Sequence, residues 1–252
     1  MDVKNLKFGY WQSFGLGQGA RYILKYKEAE FPSEYKEYKF DNFMEWVVDK
    51  PKMNEKMDFP NLPYISFEHK GEEVYVTQSD AVLKTLGMIT GLNATDLLET
   101  TRVEMISGVL ADIIKDLLTL FFEPAGLNMK KLEAMHAKDV LSGKCKQLDD
   151  HLGKFKWAAG DKLTWCDFKL FHMMQIVSSI SEHLRNTHKN IDNFMNCMLN
   201  LSDDFKKYVE DQKETRMIFP TLEACKNWGL NADPKVAGLP PNQIEPKFKI
   251  NE

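Results

Sequence analysis

No cysteine precedes residue 145, and the four in the chain (Cys145, Cys166, Cys197 and Cys225) show no CxxC spacing. That usage fits neither a disulfide scaffold nor a zinc ribbon, and reduced, mostly buried thiols are expected. Excess positive charge is also missing. Against 33 Lys and Arg stand 37 Asp and Glu, for a net charge of −4, so there is no surplus to neutralise a phosphate backbone, and nucleic acid is excluded as a partner. No uncharged apolar run reaches the ~18 residues of a membrane span. The most apolar stretch, Met105 to Phe122, is broken by Asp112, Lys115 and Asp116. The N-terminus lacks the layout of a secretory signal, and a cytoplasmic protein is expected. The six histidines lack ligand spacing, so no metal is expected. His172, inside "FKLFHMMQIV", reads as a core residue.

What is present divides in two. Leu6–Gly9 reads as a short buried strand and 20–30 as a helix, with Tyr10 and Trp11 in the turn between them. "YKEYKF" (35–40) alternates as a second strand, and Asp41 is placed to cap a short helix carrying Phe43, Trp46 and Val47. "LPYISF" and "EVYVT" (73–77) read as a hairpin turning at Gly71. Ser79 then opens a helix as its N-cap, with Gly87 near its end. The order is βαβαββα. Beyond 93 no strand is expected. Val103, Ile106, Leu110, Ile113, Leu117 and Phe121 keep a three-four spacing, and further helices are expected at 129–152, 165–183, 190–200 and 203–213. The expected organisation is an α/β domain over 1–90, an all-helical domain over 91–230, and an extended Pro-rich tail over 231–252.

Several segments carry a resemblance. "FGYWQSFGLGQGARYILKY", "MDFPNLPYI", "TQSDAVLKTLG", "TRVEMISGVLAD" and "WAAGDKLTWCDF" occur in the order and with roughly the spacing of the cytosolic glutathione transferases, and most resemble the mu class. The resemblance covers most of 5–229. It implies a thioredoxin-like N-terminal domain followed by a helical one, and a homodimer that conjugates glutathione to apolar electrophiles in detoxification.

The chemistry such an enzyme needs is elementary. A thiol of pKa about 8.5 is mostly protonated at neutral pH, and only the thiolate is a good nucleophile. Lowering that pKa by about two units requires about 2.7 kcal/mol of preferential stabilisation, within reach of a well-aimed hydroxyl and a favourable field. Position alone leaves Tyr10 open between packing and chemistry; the resemblance assigns it the thiol, with Ser13 as the rival hydroxyl. The absence of an early cysteine argues against mixed-disulfide chemistry of the glutaredoxin kind. By resemblance, Trp11, Leu16, Trp46, Lys50, Asn61, Leu62 and a cis Pro63 line the glutathione. Gln78 and Ser79 take its γ-glutamyl carboxylate at a helix N-terminus, and Asp112 reaches the glutathione of a partner subunit. Ala111, Lys115 and Phe122 fall on the electrophile side. Phe59 is the aromatic that enters the partner subunit. Thr164 and Asp167 read as a structural capping box.

The departures leave a second reading open. Phe43 stands where the mu pattern has an arginine, two extra residues set Lys50 against Lys52 for one role, and Phe122 replaces a tyrosine. The hairpin and the tail are both lengthened. A relaxed site on an assembly subunit, docking a larger complex through the tail, fits the same facts. A thiol isomerase of the prostaglandin type shares the tyrosine chemistry.

Overall fold

The computed structural model describes residues 3–39, 42–121, 140–180 and 187–215. Asp41, Phe122, the expected helical stretch before residue 140 and the tail 231–252 lie outside the described residues.

The first part runs β1 (Lys4–Trp11), α1 (Gln18–Tyr26), β2 (Glu34–Tyr38), α2 (Phe43–Met53), β3 (Tyr64–His69), β4 (Glu72–Thr77) and α3 (Ser79–Thr90). Its four strands form one sheet in the order β2-β1-β3-β4. β1 and β2 are parallel, joined through α1, and the other pairs are antiparallel. This is the thioredoxin-like arrangement. The second part holds helices and loops and no strand among its described residues: α4 (Leu97–Phe121), α5 (Val140–Leu152), α6 (Trp165–Ile180), α7 (Lys189–Leu199) and α8 (Asp203–Thr215).

Several boundaries differ from the sequence reading for identifiable reasons. β1 does not stop at Gly9. Tyr10 pairs with Glu37 and Trp11 with Tyr38, so both aromatics are strand residues at its C-terminal end. Ser79 is not the N-cap of α3; Gln78 takes that place, with φ 68° and no side-chain cap bond. The same helix passes Gly87 and closes at Gly91. In α2 the N-cap position falls to Asn42, again without a side-chain bond. The β3–β4 hairpin turns through Lys70 and Gly71, both at positive φ (53° and 84°), the two-residue turn whose twist matches the strands.

The core forms around α1. Its Tyr22, Ile23 and Leu24 are almost fully buried. Tyr22 packs on Phe171 of α6 and Phe205 of α8, with ring centroids 5.3 and 5.6 Å away, and its hydroxyl donates to Gln175 Oε1 at 2.8 Å. Along α4, Val103, Ile106, Leu110, Ile113 and Leu117 are all buried, as their spacing requires, each contributing roughly 1.5–3 kcal/mol of apolar burial. Before α6, Asp167 accepts from Thr164 N (2.7 Å), Thr164 Oγ1 (2.9 Å) and Ala158 N (2.7 Å). These bonds tie the first turn of α6 to Thr164 just before it and to Ala158 in the preceding loop, a structural role. Among the described residues no helix is long and apolar enough to cross a membrane.

Candidate active site

The alternation of β1 places Leu6, Phe8 and Tyr10 on one buried face. The chain then turns back over Tyr10 before α1 begins. At two positions that turn has no room for a side chain. A Cβ on Gly17 would overlap Tyr10 Cδ1 and sit 2.5 Å from Cγ, and one on Gly15, itself at φ 39°, would collide with the hydroxyl. The glycines in "FGLGQG" therefore let the backbone close on the ring. As a result Leu16 N–H donates to Tyr10 Oη at 2.7 Å.

Arg21 holds the turn from beneath. Its fully buried guanidinium donates to Trp11 O (2.6 Å) and Ser13 O (2.7 Å). It lies 3.3 Å from a carboxylate oxygen of Glu37 on β2, and 5.5 Å from the Tyr10 ring centroid. A buried charge is tolerated only when it is paired in this way. The sequence reading passed over Arg21, although an arginine between Ala20 and Tyr22 in an apolar helix was a visible signal.

Burial pushes the Tyr10 hydroxyl up to about 12, the Leu16 bond and Arg21 pulling only partly back. Tyr10 therefore keeps its proton at neutral pH. Its oxygen accepts from Leu16, and its O–H has no acceptor among the described residues, so that proton remains available to a ligand. Accepting one hydrogen bond strengthens the donation of the next. The group is a donor suited to an anion and unsuited to act as a base. The hydroxyl of Ser13, the rival, is fully buried and has no hydrogen-bond partner among the described residues.

A cavity of about 150 Å³ lies beside this turn, between the two parts of the fold. Leu16, Ser79, Ala111, Leu118, Lys169 and His172 are among the residues lining it. Leu16, Ser79 and Ala111 are thus brought together, while Tyr10 is reached only through Gly15 and Leu16 and is not itself among the lining residues. Trp11 and Trp46 are linked through Tyr38, whose ring centroid lies 6.0 Å from one and 5.2 Å from the other. Trp46 is buried. The Leu62–Pro63 peptide is cis. Leu62 N–H donates to Asn61 Oδ1 at 2.9 Å, and because Asn61 is exposed its side chain can swing aside and release that donor. Gln78 is exposed in a left-handed conformation, a strained geometry of the kind found where backbone must face a ligand.

Other residues stand apart. Lys52 pairs with Asp49 at 3.4 Å, whereas Lys50 is exposed. Asp112 has a largely exposed carboxylate 3.9 Å from Lys144, so its charge on the apolar helix is not buried. Lys115 is exposed and is not among the cavity's lining residues. Phe59 is 72% exposed. Sequence reasoning did not single out Lys169. It is buried and lies 2.7 Å from Asp80 Oδ1 and 2.9 Å from Ser107 Oγ, joining α6, α3 and α4.

Comparison with known proteins identifies the family. The family profile described as "Glutathione S-transferase, C-terminal domain" matches residues 111–212. The chain is 31% identical over 172 residues to glutathione S-transferase 2 of Gallus gallus, covering 66% of this chain and 72% of that protein. It is 29% identical over 232 residues to glutathione S-transferase Mu 7 of Rattus norvegicus, covering 89% and 98%. Among solved structures, the glutathione S-transferase Blo t 8 superposes with a TM-score of 0.69 at 28% identity, over 82% of this chain and 93% of that one. The sigma class enzyme of Fasciola hepatica shares the fold, with a TM-score of 0.70 at 19% identity over 84% and 98%. The chain belongs to the glutathione S-transferase family. Its function is that of a glutathione transferase.

Proposed function

We propose that Tyr10 holds the sulfur of glutathione as a thiolate and that this thiolate attacks an apolar electrophile. The observation that carries the reading is the Tyr10 hydroxyl itself: protonated, accepting from Leu16 N–H, and with its own proton free to donate. No further group need attack the electrophile, because the bound sulfur is the nucleophile. Glutathione would lie along Trp11, Trp46, Asn61, Leu62 and Pro63, with Lys50 rather than the paired Lys52 at its glycine end. Its γ-glutamyl carboxylate would meet Gln78, Ser79 and the free N–H groups of α3. The electrophile would enter beside Leu16 and Ala111; Phe122 is proposed for the same wall on the resemblance alone, and Lys115 only at its solvent edge.

We further propose a homodimer. Leu98 and Met105 are 65% and 59% exposed and lie seven residues apart, on one face of α4. With the exposed Phe59 they form apolar surface that a second copy would cover, and Asp112 would then act across that seam. The domain division at 90/91 follows the gap between α3 and α4. A cytoplasmic location accords with the reduced thiols.

The test is a glutathione titration followed by thiolate absorbance near neutral pH, with wild type against Tyr10→Phe. Wild type should bind and show thiolate that the variant lacks, a difference of about two pKa units in the bound thiol. A wild type that binds nothing at millimolar glutathione defeats the reading, and an assembly role becomes the better account.

A further inference from the structure

We infer that His172 is a positioning residue for Tyr10, acting through the peptide that joins Gly15 to Leu16. The inference rests on the reading of Tyr10 as the thiol donor. His172 projects from α6 and is 5% exposed. Its Nε2 lies 2.7 Å from the Gly15 carbonyl oxygen. A carbonyl only accepts, so Nε2 carries the proton and donates. The N–H of that same peptide is Leu16 N–H, which donates to Tyr10 Oη at 2.7 Å. Ring, peptide and hydroxyl therefore form one line of donors: His172 Nε2–H to Gly15 C=O, Leu16 N–H to Tyr10 Oη, and Tyr10 O–H onward to sulfur.

Two consequences follow from the geometry. A hydrogen bond on a peptide oxygen polarises the peptide and makes its N–H a better donor, which in turn makes Tyr10 O–H a better donor to an anion. The bond also fixes the peptide plane. Gly15 sits at φ 39°, a conformation glycine can leave easily, and α6 is the rigid element that holds it there. The ring is itself held by edge contacts with Phe14 and Tyr22, with centroids 6.0 and 6.5 Å away. The charged groups around it are Arg21 on α1, Asp80 on α3 and Lys169 on its own helix, while α4 brings only apolar side chains to the shared cavity. Burial pushes the ring down to about 4, so it stays neutral, with the single N–H that the carbonyl requires. Its other nitrogen, Nδ1, has no partner among the described residues, and within those residues the ring's one hydrogen bond is the bond to the turn.

The experiment measures the pKa of the bound glutathione thiol by absorbance across pH in wild type, Tyr10→Phe, His172→Phe and His172→Gln. His172→Phe keeps an aromatic ring without a donor, and His172→Gln places an amide N–H where Nε2 was. The expected result is a thiol pKa raised by about half a unit to one unit in His172→Phe, a roughly threefold to tenfold fall in the thiolate-to-thiol ratio at fixed pH, and near-wild-type behaviour in His172→Gln. Equal values in wild type and His172→Phe overturn the inference, as do equal shifts in both variants, which would make the effect one of packing. If His172→Phe fails to fold, His172→Asn replaces it, because its shorter amide cannot reach the carbonyl; the Gln and Asn variants then decide on the same terms. A wild type without Tyr10-dependent thiolate overturns the function and the relay together. Tyr10-dependent thiolate that is indifferent to residue 172 overturns the relay alone.

Discussion

Replacing Gly17 by alanine tests whether the turn over Tyr10 is as tight as the structure shows. Gly17 has φ −95° and ψ −14°, a conformation alanine adopts without strain, so the effect is one of space alone. The new Cβ would sit 2.5 Å from Tyr10 Cγ, where ordinary contact begins at 3.4 Å. Ring or turn must yield by about 1 Å. Overpacking of this kind costs about 1–3 kcal/mol. Alanine's smaller unfolded-state entropy returns about 0.4–1 kcal/mol, and its poorer N-capping removes a few tenths of that. A net loss of about 1–2 kcal/mol is expected, which a domain of the usual stability survives. Activity should suffer more, because misplacing a catalytic group by about 1 Å can cost about a hundredfold. The assay pairs a denaturant melt with kcat/KM for glutathione conjugation of a generic aryl halide. The expected variant is folded, mildly destabilised, and about 10- to 100-fold slower. Gly17→Ala with wild-type stability and rate would refute the reasoning, since Tyr10 would then have room that the structure denies it.

The remaining predictions concern charge. His172 is held neutral by burial, with its pKa lowered from 6.5 to about 4. The unfolded chain therefore takes up a proton first, and the stability this residue contributes is present above pH 6.5 and lost as pH falls towards 4. About 3 kcal/mol is at stake, and His172→Gln melts should lack that component of the acid sensitivity; an identical pH profile would refute it. At the ion pair between α3 and α6, Lys169 has a side chain 9% exposed against 42% for Asp80. Asp80→Ala strands a buried ammonium and should cost up to about 3 kcal/mol, whereas Lys169→Met leaves a carboxylate that water can reach and should cost less. Thermal melts in the reverse order would contradict the assignment. Lys169→Met should also weaken glutathione binding by roughly threefold to tenfold, because an unpaired Asp80 would repel the γ-glutamyl carboxylate from the adjacent Ser79; titration of both variants checks this.

Local sequence carried the order of elements and much of the site. The alternation in β1, the three-four spacing of α4 and the glycines around Leu16 depend on neighbours along the chain, and periodicity reports such neighbours directly. Thr164 and Asp167 were legible for the same reason, since a capping box closes within four residues. Boundaries were less legible. β1 continues through Tyr10 and Trp11 because β2 is there to pair with them, and nothing in residues 7–26 contains β2.

What the sequence by itself determined is the inventory: a hydroxyl near the end of the first strand, glycines at 15 and 17 in the turn that follows, a Gln-Ser step opening a helix, and no early thiol. What only the tertiary structure decided is how these are aimed. His172 reads as a core residue in its own helix and becomes a donor to Gly15 only because α6 packs on α1, with 157 residues of chain between the two partners. Lys169 was not singled out in the sequence, and its partners Asp80 and Ser107 arrive from two other helices. Hydrogen bonds and ion pairs act over about 3 Å, and folding brings together at that range groups whose separation along the chain leaves no periodic trace.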